Sequence, residues 1–328
     1  GFDFSVLNQA INLSVDYYYR KGTDLIALRM LPLETGFTSM NVNWASTENK
    51  GVEISLSTRN ITTKNFSWYT NFNFAYNGNK VLQENIPEQQ TTPGREGYPV
   101  GAIFALKTAG VNKETGNMMF YNPEGEKVTL KELYRLKDEW GIGIASSDVT
   151  AAEERTFYSY IGSSDAPYTG GLINTFSYKN WELNVNFSLT FGGYVRTQPS
   201  YDIINPDYGK NYNADVLNRW TPENTETIFP VLLSQNERLD EYMWYSNQNE
   251  IYRNLDIWIR DLNYVRLQNI RLGYTLPTNF SRTLGMTSAT VAIEGRNLLV
   301  FGSSYKNYLD PETMSNAYAT PAPKSVTL

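Results

Sequence analysis

The sequence predicts an all-β fold, the wall of an antiparallel transmembrane β-barrel. Three observations carry that prediction: strand-long alternation of large apolar with polar residues, a rhythm of short and long connections, and an excess of tyrosine. In residues 182–191, Leu183, Val185, Phe187, Leu189 and Phe191 fall on one side and only polar residues on the other. A period of two gives a strand one oily and one wet face. Segments of this kind recur at about the length a tilted strand needs to cross a bilayer, ~9–11 residues. Aromatic residues make up 14% of the chain and 24 residues are Tyr, as expected where aromatic belts line both membrane surfaces.

In chain order, the first strand is Phe2-Asp3-Phe4-Ser5-Val6-Leu7. The second spans 11–20, where Ile11, Leu13 and Val15 lead to Tyr17 and Tyr19. A third occupies 51–60. The fourth, 66–77, carries Trp68, Phe72, Phe74 and Tyr76 on its even-numbered face and turns Asn71 and Asn73 to the lumen. Strands at 169–178 and 181–192 follow, the first closing on Tyr178 and the second opening on Trp181. The last are 263–276, 288–296 and a ninth starting near 324. Short connections fall at 8–10, 61–65, 179–180 and 277–287, and long ones at about 21–50, 78–168, 193–262 and 297–323. A sandwich has no reason to place its long loops at one end, whereas outer-membrane barrels have short periplasmic turns and long extracellular loops. Within 263–276 the apolar residues shift from odd (Val265, Leu267) to even (Ile270, Leu272, Tyr274). Either a β-bulge near Gln268-Asn269 restores the face, or the first half of the strand lies above the membrane.

Composition excludes several alternatives. The chain has 328 residues, 41% of them hydrophobic, and a mean hydropathy of −0.44. Its longest nearly apolar stretch, Pro99 to Leu106, is far short of the ~18 residues of a spanning helix. Composition alone leaves a soluble, tyrosine-rich β-sandwich open. With no Cys and no His, disulfides, thiolate nucleophiles, Cys/His zinc sites and His-based triads are ruled out by inventory. A net charge of −6 argues against a nucleic-acid partner. No signal peptide is visible at Gly1, and the chain reads as mature or as a fragment beginning inside a fold.

Further text lies between the strands. It includes Asp16-Tyr17-Tyr18-Tyr19-Arg20-Lys21 with Thr23-Asp24-Leu25, then Asn49-Lys50-Gly51-Val52-Glu53. Next come Glu96-Gly97-Tyr98-Pro99-Val100-Gly101, Ala109-Gly110-Val111-Asn112-Lys113-Glu114-Thr115-Gly116 and Asn218-Arg219-Trp220-Thr221-Pro222-Glu223-Asn224. Tyr264-Val265-Arg266-Leu267-Gln268-Asn269-Ile270-Arg271-Leu272-Gly273-Tyr274, Gly295-Arg296-Asn297-Leu298-Leu299 and Asp310-Pro311-Glu312-Thr313 complete the series. In this order and spacing the chain resembles the C-terminal part of a SusC/RagA-type TonB-dependent outer-membrane transporter of Bacteroidetes.

The resemblance implies that residues 1–328 are about eight or nine strands of a barrel of about 22 strands, with the plug domain, TonB-contacting segment and N-terminal strands absent. The family's last strand normally ends in an aromatic residue, whereas Lys324-Ser325-Val326-Thr327-Leu328 stops partway. It further implies an integral protein of the bacterial outer membrane that contributes wall and loops to active import of nutrients. The cargo expected is an oligosaccharide or other glycan, with peptide second. The partners are a SusD-like surface lipoprotein, the TonB complex through the missing N-terminal region, and outer-membrane lipid. The competing reading is a surface carbohydrate-binding or adhesion β-domain without transport.

No enzyme is expected and no cofactor or metal. The carboxylates Glu124 with Glu126, Asp138-Glu139 and Glu153-Glu154 lie in charged stretches that read as solvated faces, and 127–158 reads as containing a short surface helix. Asp207–Asp215 spaces oxygen donors at every second residue but lacks the glycine and terminal Glu of a calcium loop. Gly141-Ile142-Gly143 lacks the third glycine of a nucleotide loop. Flat indoles stack on sugar rings or peptide side chains, so the candidate substrate contacts are Trp140, Trp244 and Trp258. Trp220, in its Trp-Thr-Pro-Glu-Asn phrase, reads as a structural anchor.

Overall fold

The computed structural model describes residues 1–31, 33–139, 144–200, 211–232, 248–283, 285–302, 310–316 and 319–328. Four strands open the chain: β1 (Phe2–Val6), β2 (Ile11–Met30), β3 (Ser39–Thr62) and β4 (Phe66–Gln83). A long excursion then carries β5 (Ala102–Leu106), β6 (Thr108–Val111), β7 (Met118–Tyr121), β8 (Lys127–Val128), β9 (Leu136–Glu139), β10 (Ile144–Ser147) and β11 (Tyr158–Ser163). The chain returns with β12 (Tyr168–Tyr178) and β13 (Trp181–Arg196), makes a second excursion, and finishes with β14 (Ile259–Thr275), β15 (Thr290–Phe301) and β16 (Ser325–Thr327). Nine of these form one sheet in the order β1-β2-β3-β4-β12-β13-β14-β15-β16. Every neighbouring pair is antiparallel. β1 and β16 are its two edges, so the sheet is open.

The register gathers most of the large apolar residues on one face, Ile173 beside Asn71 and Asn186 being an exception. Across the sheet, Leu13 pairs with Leu56, Leu56 with Phe72, Phe72 with Leu172, Leu172 with Phe187 and Phe187 with Leu267. Near one end this face carries Tyr17, Tyr76 and Tyr168, the last two with ring centroids 5.2 Å apart. Near the other it carries Trp68 stacked on Phe176 at 5.5 Å and Trp181 against Tyr274 at 4.6 Å. A sheet packed on a protein core would bury these side chains; here many are exposed, including Phe2, Tyr17, Trp181 and Ile293. That is the pattern of a lipid-facing wall between two interfacial girdles.

The same face carries one polar group near its Trp68 end. Asn174 Oδ1 accepts from Trp68 Nε1 at 2.9 Å and from the Thr70 hydroxyl at 2.7 Å. Asn60 Nδ2 donates to Thr70 Oγ1 at 2.7 Å, and the Thr58 hydroxyl donates to Asn60 Oδ1 at 2.9 Å. Each side-chain oxygen of the row takes part in a hydrogen bond, which lowers the cost of placing it on an apolar face.

The break in β14 is a bulge. Asn186 pairs with Asn269 and Phe187 with Leu267, so Gln268 is an extra residue against β13, and its Nε2 donates to Ser188 Oγ at 2.9 Å. The extra residue keeps Leu267 and Ile270 on the same side.

The strands reach further than the alternation indicates. The segment 21–50, expected as a loop, is mostly paired: β2 and β3 continue their ladder to Met30 and Ser39, leaving 31–38 as the connection. Pairing continues because backbone hydrogen bonds need no apolar face, while residues such as Lys21, Glu48 and Asn49 give no periodic signal. The connections at one end are 7–10, 63–65, 179–180 and 276–289, the last holding a short helix (Thr278–Thr283). At the other end the chain leaves the sheet for 84–167, 197–258 and 302–324.

The first two excursions pack into one body above the sheet. Its core gathers Leu106, Met118, Phe120, Leu130, Leu133, Tyr134 and Phe157 from the first with Phe229, Ile251, Tyr252, Leu255 and Trp258 from the second. Two single-turn helices, α1 (Leu130–Leu133) and α2 (Ala151–Glu154), each begin with a capping box, Thr129 with Glu132 and Thr150 with Glu153. The short helix expected within 127–158 is therefore two. The capping contact with Thr150 and then the Arg135 guanidinium hold the exposed Glu153 carboxyl at a pKa of about 2.

Candidate functional site

The polar face of the sheet is an amide and hydroxyl ladder. Ser57 donates to Asn71 Oδ1 at 2.7 Å, Asn184 Nδ2 to Thr175 Oγ1 at 3.0 Å and Asn269 Nδ2 to Glu294 Oε1 at 2.6 Å. Asn71, Asn184, Asn186 and Ser188 thus occupy the face opposite the apolar one, as the alternation requires. Two quoted sequence phrases meet on it. The Tyr18 ring crosses Gly51 to donate its hydroxyl to Asn77 Oδ1 at 3.1 Å, and a Cβ at Gly51 would stand 2.6 Å from that ring. Glycine is required there for the close approach.

Arg266 lies on this polar face at 1% exposure, under the turn formed by 310–316. Its Nε pairs with Glu312 Oε1 at 3.0 Å and its Nη2 with Asp310 Oδ1, while the Tyr264 hydroxyl donates to Glu312 Oε1 at 3.2 Å. Burial alone would raise the Asp310 pKa. The hydrogen bonds from Arg266 and the Glu312 backbone N–H outweigh it, and the net direction is down. The knot ties the third excursion to the wall.

At the rim, Glu96–Gly101 is laid along β4. Val81 N donates to Tyr98 O at 2.8 Å and Gly97 N to Val81 O at 2.9 Å. Asp165 Oδ2 accepts from Asn79 Nδ2 and from Gly101 N, both at 3.0 Å. This stitching presents the exposed rings of Tyr98 and Tyr160, 4.8 Å apart, with Phe104 edge-on to Tyr98 at 5.1 Å. Burial, then the neighbouring Tyr194 and Tyr98, raise the Tyr160 pKa, so its hydroxyl stays protonated and able to donate. Two clefts flank the group. One of about 520 Å³ is lined by Glu48, Lys50, Tyr76, Lys80, Tyr160 and Tyr194. The other, of about 390 Å³, is lined by Glu84, Gln90, Arg95, Phe104, Arg196 and Asn254.

The three candidate tryptophans fare differently. Trp140 and Trp244 lie outside the described residues. Trp258 is corrected to a core residue: it is 3% exposed, 5.8 Å from Phe229 and edge-on to Tyr252 at 5.3 Å, so neither indole face is free to stack on a ligand. A tryptophan in a long segment folds inward when that segment builds its own core. Trp220 donates its Nε1 to Lys113 O at 3.2 Å and covers Gly116, where a Cβ would stand 2.5 Å from the indole, so the Ala109–Gly116 and Asn218–Asn224 phrases dock on each other. Tyr98 and Tyr160, which tryptophan counting passes over, are paired, exposed loop rings among the described residues. Tyr98 was already visible in the Glu96–Gly101 phrase; its neighbour was not, because β5 pairs with β11 from far along the chain.

Among the described residues no group of acidic side chains is arranged to hold a metal ion, and no helix is long and apolar enough to cross a membrane. The surface offers hydrogen-bonding groups and rings, the means of binding. Fold and site together define a wall segment of an outer-membrane β-barrel with a folded outer rim.

No protein-family profile matches the chain. It is 30% identical over 315 residues to TonB-dependent receptor P3 of Formosa agariphila, covering 92% of this chain and 29% of that protein. It is 26% identical over 337 residues to TonB-dependent receptor SusC of Bacteroides thetaiotaomicron, covering all of this chain and 30% of that protein. Among solved structures, the RagAB peptide transporter superposes with a TM-score of 0.71 at 25% identity, over 94% of this chain and 32% of that one. The chain is related to the TonB-dependent receptors of the SusC/RagA type and corresponds to a portion of their outer-membrane barrel. It spans about three tenths of the length of the relatives it matches.

Proposed function

We propose that this chain is the C-terminal barrel part of an energy-coupled importer that takes up oligosaccharides across the bacterial outer membrane. The observation that carries the reading is the asymmetry of the sheet. Its three largest excursions leave from one end and build a rim with exposed rings, while the other end is closed by turns and one short helix. In this reading the excursions are extracellular, and a plug and a TonB-contacting segment belong to the complete protein. A SusD-like surface lipoprotein closes over the rim. Tyr98 and Tyr160 join Trp140 and Trp244 as cargo contacts, and the protein binds cargo without breaking its bonds.

The test is deletion of the complete gene, followed by growth on defined oligosaccharides and on peptides as sole nutrient, with co-purification from the outer membrane. Loss of growth on one oligosaccharide class, with a lipoprotein recovered alongside, supports the reading. Unimpaired growth and uptake on every nutrient tested would overturn it. Peptide cargo is the second reading, favoured because a structure that the chain resembles is a peptide transporter; growth loss on peptides alone would select it.

A further inference from the structure

Beyond the tyrosine row, the apolar face of β2, β3 and β4 changes character. Tyr17, Val52, Tyr76 and Tyr168 form the last membrane-facing row. One step outward on the same face, Tyr19 pairs with Lys50 and Lys50 with Gly78. A further step brings Lys21 opposite Glu48 and Glu48 opposite Lys80. Two residues along a strand rise about 7 Å, so these lysines stand roughly 7–14 Å further along the strand, about 5–11 Å above the girdle at the usual tilt, where the polar part of a lipid leaflet lies. All three are exposed. None has an ion-pair partner among the described residues, and the one carboxylate in the row, Glu48, already accepts a hydrogen bond from the Tyr19 hydroxyl at 3.2 Å. The larger cleft opens at this place, with Lys50, Lys80 and the Tyr76 ring among its lining and Tyr160 and Tyr194 on its far side.

We propose that this outward face of β3 and β4 binds the phosphorylated sugar headgroup of a glycolipid in the outer leaflet. Lys50 and Lys80 take the phosphate, and the Tyr76 and Tyr194 rings flank the sugar. Three observations fit that occupant. The lysines are on the lipid side of the wall rather than the polar side. Their level is that of headgroups, and the cleft continues directly from the apolar rows that would meet the same lipid's tails. Lysine stems can lie on the tyrosine row while the ammonium groups reach the anion. The inference rests on the outward direction proposed above, and its readout is lipid retention rather than cargo uptake, so the two can fail separately.

The experiment uses the complete protein extracted from its own outer membrane, with native mass spectrometry of retained glycolipid and rebinding of the purified lipid in its phosphorylated and dephosphorylated forms. Each lysine near an anionic lipid is worth roughly fivefold in affinity, so K50Q/K80Q should lower rebinding on the order of 20–30-fold. K50R/K80R should retain it, and K64Q/K179Q, at the opposite end of the strands, should leave it unchanged. Wild-type retention should fall with ionic strength, a reading that stands even if K50Q/K80Q does not assemble. Equal affinity for the dephosphorylated lipid, undiminished binding by an assembled K50Q/K80Q protein, equal loss in K64Q/K179Q, or salt-insensitive retention would each overturn the proposal.

Discussion

Arg266 is the largest fully buried side chain among the described residues, and its charge is met by Asp310 and Glu312 from a segment more than forty residues away. Removing one member of a buried ion pair leaves an uncompensated charge and costs about 3–5 kcal/mol. R266A should therefore release the 310–316 turn, seen as a new protease-sensitive site there in the assembled protein. The same knot should respond to acid. The Asp310 pKa is lowered in the folded state, so its stabilising contribution is fully present above the unfolded carboxylate value of 3.8 and is lost as pH falls through the lower folded one. Protection of the turn should hold at neutral pH and fail only in strong acid; protection that instead fails between neutrality and pH 5 would rule out Asp310 as the titrating group. Trp258 makes the complementary case. Its indole N–H has no hydrogen-bond partner among the described residues, so its worth is packing. W258A should destabilise the loop body by about 3–5 kcal/mol, and W258F by far less; a cargo-affinity loss without destabilisation in W258A would restore it as a contact.

At the scale of elements, the two faces of β13 should tolerate charge very differently. F187R puts a guanidinium among Leu172, Leu267 and their neighbours on the apolar face and should cost about 2–4 kcal/mol, whereas N186R, on the polar face, should assemble normally. Heat-modifiable mobility of the membrane-extracted protein reads both. The nine wall strands are legible in sequence because lipid imposes a strict period of two wherever they meet it. That signal stops where the lipid stops. The outward ends of β2 and β3 lose the alternation, Lys21–Asp24 having no apolar residue and Leu25–Leu28 nothing else, and cannot be told from loop. β5 to β11 were hidden for another reason: they are short, and their pairings join residues far apart, as β5 joins β11. Arg266 and the Asp310–Thr313 phrase were each readable as text, but their contact was not, since nothing local links a strand to a turn folding back on it. The candidate rings failed in the same way. Composition offers tryptophans, and only packing decides that Trp258 faces a core and Tyr98 does not.

As a whole molecule, the open sheet leaves β1 and β16 with unpaired backbone on their outer edges. Unpaired amides beside an exposed apolar face promote association. The 328-residue chain expressed alone should enter inclusion bodies or need detergent; a stable detergent-free monomer in sedimentation would contradict the lipid-facing assignment. The polar row of Thr58, Thr70 and Asn174 has a consequence for the bilayer itself. On β13 the apolar run from Trp181 to Phe191 covers roughly 33 Å of strand, about 25 Å along the membrane normal at the usual tilt. On β4 the polar Thr70 row interrupts the face, and the unbroken run from Phe72 to Tyr76 covers only about 13 Å of strand, or about 10 Å of height. Hydrocarbon tails against β3, β4 and β12 therefore meet a shorter apolar band than those against β13 and β14. Hydrophobic mismatch thins the leaflet on that side and leaves the protein seated in a locally pinched membrane.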